Sequence, residues 1–263
     1  MTVPVRTGTA RLPGGIVLPY ADRGAGDPLV LLHAVGDSWR AFEPLMAHLP
    51  GSLRVLAPSQ RGHGGASLPP HGYRPADFAA DLAAFLDVLG VERAVLVAAS
   101  SAGFTARRFA AARPERVRAL AFLGSPAELG DKPGIAGIRA WVDGLADPLD
   151  PAELRAMIDS LVCRPLPPAF AELMVAEGLR APARVWRETF HGLLAEPGPA
   201  PVRVSAPVLV ARGERDTLLP LSDQERLAAA FPHATLRSYP AAGHVVHWDA
   251  PDRVAADLLA LLP

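Results

Sequence analysis

Five short stretches of this chain are apolar with little or no alternation: Pro28–Ala34 (PLVLLHA), Arg54–Ala57, Ala94–Ala99 (AVLVAA), Ala119–Leu123 and Pro207–Ala211 (PVLVA). A strand with one wet face alternates apolar and polar side chains, whereas a strand covered on both faces does not. These runs therefore predict buried strands of a parallel sheet. Between them the apolar positions recur at helical spacing. Ala76–Leu89 (ADFAADLAAFLDVL) reads as a helix stopped by Gly90, Phe104–Ala112 and Ser222–Phe231 read similarly, and Asp252–Leu262 closes the chain. Strand and helix in alternation predict an α/β doubly wound sheet. Ahead of it, Thr9–Leu12 and Ile16–Asp22 suit an antiparallel hairpin at one sheet edge.

The alternation breaks between Pro126 and Pro201, where helical patterns at Gly137–Leu145, Pro151–Leu161, Pro168–Glu177 and Arg184–Leu194 are separated by proline-rich joints. The expected organisation is a core of residues 1–125 and 202–263, with residues 126–201 inserted after the sixth strand as a helical cap.

Composition narrows the possible partners. Half of the residues are hydrophobic, enough for a large core, and a formal net charge of -1 offers no field for neutralising phosphates, so neither nucleic acid nor an anionic membrane is an expected partner. No apolar run reaches the ~18 residues of a membrane span. Met1–Gly15 lacks the basic start and apolar segment of a secretory signal, and the lone Cys163 suits a reducing compartment. The expectation is a cytoplasmic protein, monomeric or homodimeric. The eight histidines show no metal-ligand spacing and no phosphate-binding glycine loop is present, so no metal and no cofactor are expected.

The run Ala94–Ala99 leads directly into Ser100, Ser101 and a helix. A serine on a sharp strand-to-helix turn needs small residues two before it and two and three after it, and Ser100 has Ala98, Ala102 and Gly103 there. Ser101 can be framed by Ala99 and Gly103, and both serines could instead simply cap the helix. With the flanking strand and helix, this layout resembles the serine elbow of the α/β-hydrolase fold superfamily, esterase- or lipase-like members with a helical cap, with alanine replacing both usual flanking glycines. Pro114-Glu-Arg-Val117 stands where relatives carry that sequence after their nucleophile, and the spacing favours Ser100 over Ser101.

The resemblance implies the rest of the machinery. A serine hydroxyl needs a neighbouring base, and imidazole titrates near the working pH. The family's Gly-His pair before the last helix is matched by Gly243-His244, which places the base at His244 rather than His247. Its acid turn is matched by Gly213-Glu-Arg-Asp216, with Pro220 beyond, which favours Asp216 over Glu214 and Glu128. The oxyanion donors fall on the backbone N–H groups of Ser101 and Val35, although His33-Ala34 stands where relatives carry His-Gly. Ser59-Gln-Arg-Gly-His-Gly64 resembles a further family turn with serine in place of aspartate, and Arg61 with its glycines suits a shaping role.

In relatives such a cap chooses the substrate. Trp141, Met157, Phe170, Met174, Trp186 and Phe190, together with His247, are the candidate pocket residues, two or three of the cap side chains being expected to touch a substrate and the others to pack. The implied function is hydrolysis of a carboxylic ester or lactone of a fairly apolar small molecule through an acyl-enzyme on Ser100. Two alternatives stand beside it: carbon-carbon, amide or thioester cleavage or acyl transfer on the same triad, and a catalytically weak ligand-binding protein of this fold.

Overall fold

The computed structural model describes residues 3–130, 132–199 and 204–262; the expected boundary between residues 201 and 202 lies outside them. Eight strands form one sheet: β1 (Arg6–Arg11), β2 (Val17–Arg23), β3 (Asp27–Leu32), β4 (Leu53–Pro58), β5 (Ala94–Ala99), β6 (Val117–Leu123), β7 (Val208–Gly213) and β8 (Ala234–Tyr239). Their spatial order is β1-β2-β4-β3-β5-β6-β7-β8. The β1-β2 hairpin joins β4 antiparallel, and every later pairing is parallel.

The unbroken apolar runs have a direct cause. Along the central strands, alternate residues enter two different cores. Val30, Leu32, Leu96, Ala98, Leu120 and Phe122 face one side. Leu29, Leu31, Val95, Val97, Ala119, Ala121 and Leu123 face the other. The first side is covered by α2 (Pro75–Val88), α3 (Ala102–Ala112) and α8 (Leu221–Ala229), through Phe85, Phe109 and Leu227 among others. The second is covered by α1 (Glu43–Met46), α9 (Val246–Asp249) and α10 (Pro251–Leu261). Burial on both faces leaves no position for a polar side chain, which is why alternation vanished from the sequence.

Between β6 and β7 lie α4 (Pro133–Gly144), α5 (Pro151–Ser160), α6 (Pro168–Gly178) and α7 (Ala183–Leu194). These helices share a third apolar cluster with Phe78, Phe104, Val245 and Trp248 of the sheet-bearing part. Backbone bonds tie them down at the far side of the site as well: the Leu161 carbonyl accepts from the N–H groups of His244 (2.9 Å) and Val245 (3.3 Å).

The strand order reverses at β3, whose neighbours are β4 on one side and β5 on the other. Connections leave the sheet in opposite directions at such a point, opening a crevice at the carboxyl ends of the strands where ligands of open α/β sheets bind. The loop after β3 carries Val35, and the turn after β5 carries Ser100.

Candidate active site

Ser100 is the one non-glycine residue with positive φ among the described residues, at 46°. A left-handed conformation costs an L-residue energy unless its surroundings hold it. Here the Ser100 N–H donates to the Leu123 carbonyl (2.9 Å) and its own carbonyl accepts from Gly103 (3.0 Å), pinning the turn at both ends. The small residues are a packing requirement: a Cβ on Gly103 would lie 2.6 Å from the Ser125 Cβ. Gly103 is therefore required by the close approach of α3 to the segment that follows β6. Ser101, in contrast, has right-handed helical dihedrals at the start of α3.

The turn projects the Ser100 Oγ to 2.8 Å from the Nε2 of His244. On the other edge of that imidazole, Nδ1 lies 2.9 Å from Asp216 Oδ2. Asp216 Oδ1 accepts from the N–H groups of Leu218 (2.8 Å) and Leu219 (3.1 Å). Burial pushes the Asp216 carboxyl up, but the adjacent imidazole and these two N–H donors outweigh it, leaving a net downward shift. Asp216 is consequently an anion that fixes Nδ1 as the protonated nitrogen and leaves the Nε2 lone pair facing Ser100. Neither Glu214 nor Glu128 reaches His244; Glu128 pairs with Arg226.

Two glycines let the His244 loop come this close. A Cβ on Gly124 would lie 2.3 Å from the His244 carbonyl oxygen, and one on Gly213 would lie 2.0 Å from that of Gly243. Asp249, which sequence reasoning passed over, staples the same loop: its carboxylate accepts from the N–H groups of Gly243 (2.7 Å) and Cys163 (3.1 Å).

Val35 stands beside the serine pair, its N–H donating to the Ser101 Oγ at 2.9 Å. The loop that presents it is held by His33, whose Nε2 accepts from the Gln60 N–H (2.8 Å) while Nδ1 lies 2.8 Å from the Ala34 carbonyl. Accepting at Nε2 requires the proton on Nδ1, so His33 is a neutral fastener, and burial with His63 alongside lowers its pKa to about 3. Arg61 forms a two-pronged pair with Asp81 (2.6 Å for both bonds) and donates to the Gly72 carbonyl, which bears out the shaping role read for that turn.

Ser100, Ser101, Val35 and His244 line a cavity of about 1040 Å³, its open mouth included. Trp141, Met157, Met174, Trp186, Phe190 and His247 line it too. Phe170 does not; it stacks edge-to-face on Trp248, with ring centroids 5.4 Å apart. Trp186 lies directly over the loop after β3, where a Cβ on Gly36 would fall 1.9 Å from its ring. His247 is buried against Phe42, with no partner on either ring nitrogen, and burial near His244 lowers its pKa to about 3. Asp37, another cavity residue, was not singled out from the sequence. Among the described residues no group of three histidine, cysteine or carboxylate side chains could hold a metal ion, and no helix is long and apolar enough to cross a membrane.

Known proteins resemble this chain in both sequence and shape. The chain is 30% identical over 267 residues to the 2-hydroxy-6-oxo-2,4-heptadienoate hydrolase of Pseudomonas putida, covering 93% of this chain and 92% of that protein. It is 28% identical over 250 residues to the 2-(acetamidomethylene)succinate hydrolase of Mesorhizobium japonicum, covering 91% and 89%. A thermophilic esterase from Thermogutta terrifontis superposes with a TM-score of 0.80 at 25% identity, over 97% of both chains. The model of the alpha/beta hydrolase fold matches residues 27–197, and with the sheet order and relatives above it shows that this chain belongs to the α/β-hydrolase family.

Proposed function

We propose that this chain hydrolyses a carboxylic ester or lactone of a fairly apolar small molecule through an acyl-enzyme on Ser100. The observation that carries this reading is the linear relay from the strained Ser100 through His244 to Asp216, opening on an apolar cavity. His244 Nε2 takes the Ser100 proton as Oγ attacks the substrate carbonyl, and Asp216 stabilises the imidazolium that forms. The backbone N–H groups of Ser101 and Val35 receive the oxyanion, the latter exchanging its bond to the Ser101 Oγ for one to the substrate, a contribution of typically ~3–4 kcal/mol per donor in such sites. His244 then returns its proton to the departing alcohol. Water, deprotonated by the same imidazole, attacks the acyl-enzyme and releases the acid and Ser100.

The relatives' names specify a succinate and a heptadienoate, both carboxylate-bearing compounds. Among the described residues, no arginine and no lysine lines the cavity. A carboxylate buried there would be desolvated without a countercharge, at a cost of several kcal/mol, which favours an ester without an acid group over the relatives' substrates.

Turnover of short and medium p-nitrophenyl esters, with fluorophosphonate labelling mapped by mass spectrometry, tests the reading. Wild type should turn over and label at Ser100. Ser100→Ala should lose labelling and at least a thousandfold in kcat. Labelling that persists in Ser100→Ala, or that maps to Ser101 in wild type, overturns the assignment.

A further inference from the structure

The cavity contains one acidic side chain that the reaction above does not use. Asp37 closes the turn after β3, its N–H donating to the Ala34 carbonyl at 3.2 Å, two residues beyond Val35. It is enclosed by the fold, yet part of its surface stays accessible, and the space it borders is the cavity. Among the described residues, no arginine or lysine lines that space. The same cavity is also lined by Ser100, Ser101, His244, His247 and otherwise mostly apolar residues, including Val35, Gly36, Leu154, Met174 and Trp186. No salt bridge reaches Asp37 among the described residues, and its hydrogen-bonding neighbour is the Ala34 backbone. His247 supplies no positive charge, since burial keeps it neutral down to about pH 3.

We propose that Asp37 is the polar anchor of the substrate site and that it recognises an ammonium or amine group on the otherwise apolar compound this enzyme binds. The inference rests on the catalytic reading for the place of the cavity, and it adds the chemistry of one end of the ligand. A carboxyl in a water-poor cavity is costly to ionise, and a cation beside it is the partner that offsets that cost. Burial raises the Asp37 pKa to about 8, so near neutral pH the group is mostly protonated. Docking of an ammonium transfers this proton to the buffer and leaves an ion pair, O⁻ against N⁺, within the cavity. A ligand carboxylate finds no such partner and meets the Asp37 carboxyl instead. The cavity thereby selects by charge as well as by apolar bulk, in the sense opposite to the carboxylates in the relatives' names.

Calorimetric titration of the wild-type protein near neutral pH with n-hexylamine, 1-hexanol and hexanoate tests this without requiring turnover, and so separately from the esterase reading. Hexylammonium should bind at least tenfold more tightly than hexanoate. Its apparent binding enthalpy should vary with the ionisation heat of the buffer, reporting release of close to one proton. In Asp37→Asn the preference for hexylammonium should disappear together with the proton release. Equal or tighter binding of hexanoate, no binding of hexylammonium at millimolar concentration, or an enthalpy independent of buffer in wild type overturns the proposal. These three readings use the unmodified protein, so they hold even if Asp37→Asn folds poorly. A preference that survives in folded Asp37→Asn overturns it too. Failure of Ser100 to label with fluorophosphonate would count against the esterase reading alone.

Discussion

Acid should unfold this protein with a slope set by four buried groups. Burial and the neighbouring His63 lower the His33 pKa to about 3; burial lowers that of His63 to about 4; burial and His244 lower that of His247 to about 3. In the unfolded chain each imidazole takes its proton near pH ~6.5. Near pH ~5 the unfolded state therefore holds about three more protons at these sites than the native state. Asp37 acts in the opposite sense, because its native pKa is raised to about 8 and the native state holds the extra proton down to the ordinary carboxyl range. The net uptake on unfolding is about two protons, and at ~1.36 kcal/mol per proton per pH unit stability should fall by about 2.7 kcal/mol between pH ~6 and pH ~5. Depressed imidazole pKa values contribute stability that is complete above the unfolded value and is lost as pH falls through the native one, so the loss is on the acid side. Urea unfolding followed by tryptophan fluorescence at these two pH values measures the slope. His247→Leu removes one of the three imidazoles and should reduce the slope to about 1.4 kcal/mol, while Asp37→Asn removes the opposing group and should raise it to about 4 kcal/mol. A slope near zero in wild type, or one that neither substitution moves, refutes the reasoning.

Three further perturbations separate the parts of the site. Ser101→Ala deletes the hydroxyl that accepts the Val35 N–H but keeps both backbone donors, so labelling should stay at Ser100 and kcat should change less than about tenfold, against at least a thousandfold for Ser100→Ala. Gly36→Ala introduces a Cβ 1.9 Å from the Trp186 ring at a backbone φ of +83°, and should lower both the melting temperature and ester turnover as α7 is lifted from the loop. Asp249→Ala leaves the Gly243 and Cys163 N–H groups without their acceptor and should cost about 2–4 kcal/mol in urea unfolding, with turnover falling as the His244 loop loosens.

What was legible in the sequence, and what was not, follows from how far along the chain each cause lies. The buried strands were readable because burial on both faces acts residue by residue: Ala94–Ala99 is apolar throughout since neither of its neighbours on the sheet nor either covering layer leaves it a wet side. β8 was not, because it pairs with β7 alone at the sheet edge and its ATLRSY sequence puts exposed and partly buried positions in alternation, which without a turn signal resembles a loop. Ser100 was readable for a local reason too: its tight turn demands Gly103, where a Cβ would meet Ser125, and that glycine stands three residues from it. Nothing comparable marks Asp37. Its raised pKa comes from burial, and the cavity it borders is lined in part by Leu154, Met174 and Trp186, more than a hundred residues away on α5, α6 and α7. The same distance explains Phe170. Helical spacing shows that α6 has an apolar face, but whether a given aromatic looks into the cavity or onto Trp248 depends on the rotation of α6 about its axis, which is settled by packing against α5 and α9. The Ser100 turn is thus written locally, at the end of β5 beside the point where β3 and β5 diverge, whereas the lining of the cavity above it arises where the distant helices α4 to α7 pack over the sheet.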